Sequence, residues 1–100
     1  MNIEYVSRKR LRGLFHQHGV WEGLRQGLYT HEQADKAVIP VRAGSEPPGG
    51  TQIYVKWLDI FGRHVVTTHM VVDADGWPVH WDEKDLILGL EKYVHLPELD

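Results

Sequence analysis

The sequence predicts an α+β fold: N-terminal helices, a three- to four-stranded antiparallel β-meander and a C-terminal helix, packed in two layers. Three observations lead there. Apolar residues recur at helical spacing before residue 30, the pattern changes to β-branched alternating runs after residue 36, and a last apolar stripe at helical spacing follows Asp82. Helices laid on one face of an antiparallel sheet bury the apolar side of both, which is the natural packing for that order. The 100 residues make one small domain, 1–100, with room for a single core.

The first element is "RKRLRGLFHQH", with Ser7 placed to cap it. Leu11, Leu14, Phe15 and His18 fall at i, i+3, i+4 and i+7, so they share a face. Gly19 suits the position after the helix because it accepts a positive φ. A second helix is expected in "VWEGLRQGLY", where Leu24 and Leu28 lie one turn apart. Gly23 and Gly27 weaken it by about 1 kcal/mol each relative to alanine. Thr30 and Gln33 have the spacing of a capping box, which predicts one more short helical turn.

The strands follow. "AVIPVR" reads as a short strand whose Pro40 suits an edge, and "AGSEPPGG" as a loop. "TQIYVKWLDI" alternates, with Ile53, Val55 and Trp57 on one face and Tyr54, Lys56 and Leu58 on the other. "RHVVTTHMVVD" is long and β-branched. The short "FG" between them predicts a hairpin, with Asp59–Arg63 able to hold a longer turn or a bulge. "WPVHW" after "DADG" reads as the next antiparallel strand. Asp82 then caps a final helix striped by Leu86, Ile87, Leu90 and Tyr93 and ended by Pro97.

Charge is distributed unevenly. Residues 1–30 carry five cations against two acids, giving +3; residues 31–72 balance at four of each; residues 73–100 carry eight acids against two lysines, giving −6. Opposite patches at the two ends of a chain can neutralise each other on folding or serve partners. The chain has no cysteine, which excludes disulfides, thiol catalysis and cysteine-ligated zinc. It has no run of about 18 apolar residues and no signal-like N-terminus, so the expectation is a cytoplasmic protein with no membrane span.

"HMVVDADGWPVHWDE" holds the densest set of candidate chemical groups. As a calcium loop with Gly76 at position 6, it would offer Asp73 and Asp75 but place Val71 at position 1 and Asp82 at position 12, so the first ligand is missing and the last is short. A hairpin turn at Ala74-Asp75-Gly76 explains the acids without a metal. Of the seven histidines, His16 and His18 point about 200° apart on a helix, and His64 and His69 fall on opposite faces of an unbulged strand. With Ala74-Asp75 as a two-residue loop, His69 and His80 would face each other as an acid–base pair or two metal ligands. Asp75-Gly76, the better fit to glycine, puts His80 opposite Val71 and separates them. No phosphate-binding loop or nucleophile elbow is present, so no cofactor is expected and enzymatic activity is not the leading reading.

Two surfaces remain. Arg8, Lys9, Arg10 and Arg12 on the first helix form an electrostatic footprint for nucleic acid, against a pI near 6.1. Tyr54, Trp57, Trp77 and Trp81, with Asp73 and Asp75, offer an aromatic and acidic surface for another protein or a second copy of the chain. The leading expectation is therefore a small non-enzymatic protein-binding module, acting as an inhibitor or regulator. The alternatives are a nucleic-acid-binding protein using the basic helix, and a small hydrolase or nuclease using His69 and His80.

Overall fold

The computed structural model describes residues 1–38 and 49–100. The loop expected over 43–50 falls almost wholly outside them, as do Pro40 and most of the short strand that contains it. The elements run β1 (Asn2–Val6), α1 (Arg8–Gln17), α2 (Val20–Arg25), β2 (Thr30–Val38), β3 (Thr51–Leu58), β4 (His64–Val72), β5 (Pro78–Leu88), β6 (Glu91–His95) and a 3₁₀ turn, Pro97–Leu99. The strands form one six-stranded mixed sheet in the order β1-β6-β5-β4-β3-β2. β1 lies parallel to β6, and every other pair is antiparallel.

This overturns the expected architecture of N-terminal helices, a meander of three to four strands and a C-terminal helix. The N-terminus begins with a strand, the Thr30–Gln33 capping pattern lies in a strand, and the final helix is absent: Asp82–Leu88 continues β5 and Glu91–His95 turns back as β6. Two features account for it: a turn at Gly89 and Leu90 splits the Leu86, Ile87, Leu90, Tyr93 spacing between two strands, and a β-bulge just before it disguises the alternation of β5. Thr67 pairs with Asp85 while the next residue, Thr68, pairs with Glu83, so Lys84 is an extra residue in β5. An extra residue resets the alternation of faces. Glu83 and Leu86, three apart, therefore share one face, and Asp82 and Asp85 share the other. A bulged strand thus shows the three-residue spacing of a helix. Of the supposed helical stripe, Leu86 is buried and paired with Tyr93 on one face, Ile87 is on the opposite face, and Leu90 lies exposed in the turn beside Gly89, whose φ is 63°.

The first helix follows its sequence. The Ser7 hydroxyl accepts the Arg10 N–H at 3.2 Å, and Gly19 ends the helix at φ 72°. α1 and α2 lie over one face of the sheet. Leu11, Phe15, Leu14 and Val20 pack with Val6, Val66 and Leu86, and Trp57, Trp81 and Tyr93 border that core. Each large apolar side chain fully removed from water there contributes about 1.5–3 kcal/mol. None of the described helices is long and apolar enough to cross a membrane.

The β3–β4 and β4–β5 connections are both five-residue loops built on an aspartate. Asp59 Oδ1 accepts the N–H groups of Phe61 and Arg63, and Asp73 Oδ1 accepts those of Asp75 and Trp77. Further bulges follow from them: Val65 is extra between the pairs Trp57–Val66 and Leu58–His64, and Val79 between Val71–His80 and Val72–Pro78. With three bulges, face cannot be counted from residue number along β4 and β5.

Candidate functional site: a buried histidine–aspartate cluster on the uncovered sheet face

Directly paired residues point to the same side of a sheet. The side away from the helices therefore carries the row Tyr54–His69–Asp82, flanked by Gln52–Val71–His80 and by Lys56–Thr67–Asp85. No described helix lies over this side, yet Asp82 is 1% exposed and His69 6% exposed. Their neighbours bury them. Tyr54 stacks on His69 with ring centroids 4.6 Å apart and planes at 27°, and His80 meets His69 edge-on at 5.8 Å.

The polar contacts are specific. His69 Nδ1 lies 3.0 Å from Asp82 Oδ1, so the nitrogen donates and the carboxylate accepts. The other ring nitrogen, Nε2, lies 2.9 Å from the Gln52 side-chain amide. The atom facing it is the amide oxygen, Oε1, which also accepts the Tyr54 hydroxyl at 3.5 Å; a neutral His69 donating from Nδ1 keeps a lone pair on Nε2 and calls for the amide turned to present its N–H₂ instead. The second carboxylate oxygen, Oδ2, faces two cations, Lys84 Nζ at 3.2 Å and Arg8 Nε at 3.8 Å, and the His80 ring nitrogen Nε2 at 3.5 Å. Burial by itself would raise the Asp82 pKa, but the Lys84 ammonium and the His69 hydrogen bond together hold it below the usual carboxylate value. Burial lowers the His69 pKa, and the Asp82 carboxylate only partly restores it.

A second histidine cluster lies on the same face. His64 Nε2 approaches Thr67 Oγ1 at 2.9 Å, and that hydroxyl donates to Asp85 Oδ2 at 3.0 Å. Burial lowers the His64 pKa against the attraction of Asp85. His64 and His69 were expected on opposite faces; the extra Val65 brings them to the same one.

Beside the cluster, β5 outruns its neighbour. The β5–β6 pairing covers Asp85–Leu88 only. Along the unpaired half lies an open pocket of about 620 Å³ lined by Arg8, Lys9, Arg12, His80, Trp81 and Asp82, with Ser7, Leu99 and Asp100 closing one side. On the helix side of β5, Glu83 is fully buried, and Arg12 Nε reaches its two oxygens at 2.8 and 2.9 Å while another Arg12 nitrogen donates to the Trp81 carbonyl.

The structure redistributes the residues singled out from sequence. Tyr54 is on the uncovered face against His69. Trp57 and Trp81 are on the helix side, where they border an apolar cleft of about 410 Å³ with Trp21 and Leu24. Trp77, 71% exposed, sits with Asp73 and Asp75 at the tip of the β4–β5 hairpin. The six therefore do not form one surface. Of the four helix cations, Arg8 and Arg12 are drawn to Asp82 and Glu83, while Lys9 and Arg10 are exposed. His69 and His80 are not directly opposed, since His80 pairs with Val71, but they are diagonal neighbours on one face and their rings touch. Lys84, Gln52 and Thr67 are the residues sequence reasoning missed; Asp82 it assigned to the cap of a helix that does not form. The available signal was β-branched "HVVTTHMVV", which requires a partner strand longer than "WPVHW".

His69, His80 and Asp82 each offer one ligand atom within 4.8 Å of the others, a donor set suited by type to a borderline divalent ion. The Lys84 ammonium already faces the outward oxygen of Asp82 at 3.2 Å, so a metal there would have to displace it. The arrangement is complete as an acid–base cluster: a buried carboxylate orients one imidazole and lies beside a second, and that second imidazole is exposed to the pocket. Comparison with protein-family models, curated proteins and solved structures returns no match.

Proposed function

We propose that the chain is a small hydrolase of the nuclease type, acting on phosphodiesters through histidine acid–base chemistry on the uncovered sheet face. The observation that carries this reading is the burial of a carboxylate and an imidazole on a sheet face that no helix covers. Removing an ionised group from water costs several kcal/mol unless it is paired. A fold has no need of that cost on a face open to solvent, and such perturbed clusters concentrate at functional sites.

The roles follow from position. His80 is exposed and faces the pocket, so it is the group that meets the substrate. Imidazole is the side chain suited to accepting and returning a proton near neutrality. Asp82 and His69 are positioning residues: they fix the charge and orientation behind His80. Arg8 and Lys9, which line the pocket, offset the phosphate charge. In the step itself, His80 takes the proton of an attacking hydroxyl (a ribose 2′-hydroxyl or water) and returns it to the leaving oxygen. One O–P bond forms, another breaks, and the imidazole ends as it began.

The test is cleavage of single-stranded RNA and DNA by the intact chain with EDTA present. General acid–base groups contribute about 10²–10⁴-fold, so His80→Ala should lose at least about 100-fold while remaining folded. Comparing the two polymers separates an internal 2′-hydroxyl from water as nucleophile. No cleavage of either, or an undiminished rate in His80→Ala, would falsify the reading.

Binding of another protein remains as a second reading, supported by the exposed Trp77 and Val79 at the hairpin tip. It predicts a partner whose affinity falls on Trp77→Ala and is indifferent to His80→Ala.

A further inference from the structure

We infer that the pocket along the unpaired half of β5 is a subsite for one nucleotide unit, holding a phosphate at its cationic rim and a base against its apolar floor. The inference rests on the reading of His80 as part of a phosphodiester site and names how the substrate would be held there.

Three features of the pocket point to this ligand. Its volume, about 620 Å³, falls in the range of small-molecule sites. Its rim is cationic: Arg8 and Lys9 are exposed at the start of α1, and His80 stands opposite on β5. Its floor is apolar, formed by Trp81 at the unpaired edge of β5 and by Leu99, which is 51% exposed. Trp81 cannot swing away, because it packs on Phe15 and Trp21 at centroid distances of 5.9 and 5.5 Å. The Arg12 guanidinium lies over that indole, 5.7 Å from the ring centroid, so a base would meet a fixed guanidinium–indole stack; bases stack on guanidinium planes as on rings, while phosphates track positive charge.

The acids in the wall do not remove this preference. Asp82 is already met by Lys84, His69, His80 and Arg8. The Asp100 carboxylate accepts the Arg8 N–H at 2.6 Å and the His95 ring N–H at 2.8 Å. The Asp100 carboxylate thus occupies the first turn of α1 at the edge of the same pocket, so a phosphate is met by the Arg8 and Lys9 side chains and not by that turn. Arg12, turned toward Glu83 and the Trp81 carbonyl, holds the floor in place, so Lys9 meets a ligand directly and Arg8 is shared between the ligand and Asp82, 3.8 Å away.

The experiment uses the intact chain, wild type and His80→Ala, with adenosine 5′-monophosphate, adenosine and inorganic phosphate as probes, read by amide and indole chemical shifts. The nucleotide should shift Ser7, Arg8, Lys9, the Trp81 indole and Leu99, and bind at least about 10-fold tighter than either fragment, because the two contacts become one event. Arg8→Glu with Lys9→Glu should weaken the nucleotide by about 10-fold or more and leave adenosine unchanged. Lys9→Glu alone keeps the Arg8–Asp82 contact and should weaken it in the same direction, which guards against a folding artefact. Shifts confined to other surfaces, or a nucleotide no tighter than phosphate, would overturn the subsite. If RNA or DNA is cleaved but no shift appears in the pocket, the subsite is wrong and the nuclease reading stands. Binding in the pocket by a chain that cleaves nothing supports the subsite and removes the nuclease.

Discussion

Arg12 and Glu83 show what one buried pair does. Glu83 has no exposure at all, and the guanidinium of Arg12 is its nearest positive charge, 2.8 Å from one oxygen and 2.9 Å from the other. The pair also ties α1 to β5 beside the candidate site. Truncating one partner strands the other: Arg12→Met leaves a carboxylate in the interior, at a cost of about 3–5 kcal/mol. Replacing both, as Arg12→Met with Glu83→Leu, removes the buried charge altogether and should recover most of that loss. Urea denaturation of the two singles and the double gives the coupling directly, and a double mutant no more stable than Arg12→Met alone would show that the pair is not the cause. At this scale the sequence was only partly legible. Arg12 stood out as a cation on a helix, but nothing local reveals that its charge is spent on a residue 71 positions away.

At the scale of elements, helix α1 and strands β3 and β4 are visible in the sequence because each is governed by local pattern: a serine cap and an apolar i, i+3, i+4 face for α1, alternation and β-branching for the strands. The last third is not, because bulges in β5 and the turn at Gly89 and Leu90 interrupt its alternation. Glu83 with Leu86 and Asp82 with Asp85 repeat at three residues only after Lys84 is looped out, and a bulge is set by the partner strand, not by the local sequence. The edge strand β1 has a different reason: its partner β6 lies at the other end of the chain. Glycines within the helices test the local argument. Gly13 in α1 has open space where a Cβ would be, so Gly13→Ala should stabilise the protein by up to about 1 kcal/mol through helix propensity alone. Gly23 in α2 has the same propensity to gain, but a Cβ there meets the Tyr29 ring at 2.7 Å. Tyr29 packs against the core, and overpacking costs about 1–3 kcal/mol, so the clash wins and Gly23→Ala should destabilise. Thermal unfolding of the two variants checks both signs; equal and positive shifts in Tm would show that Tyr29 moves aside freely.

For the whole molecule, the buried clusters of the uncovered face make stability depend on pH, and the sign can be worked out from the direction of each shift. Burial holds His64 and His69 below the ordinary 6.5, so the folded state resists taking up a proton that the unfolded chain accepts. Between those lowered values and 6.5, the unfolded state binds more protons, and stability falls as pH falls. Asp82 acts in the same direction at lower pH. Despite burial, its pKa is held below the ordinary 3.8 by Lys84 and His69, so its contribution is present above that value and is lost as pH falls through the folded one. No term from these three groups favours the folded state on acidification. Urea midpoints should therefore be level above about pH 7.5, decline from pH 7 to pH 5, and decline again below pH 4. His69→Gln retains a polar group beside Asp82 but cannot titrate, so it should reduce the first decline to the part that His64 contributes. The same substitution leaves His80 in the pocket. A wild-type midpoint that is level from pH 7 to pH 5 would mean that the His64 and His69 clusters open to water more readily than their packing implies.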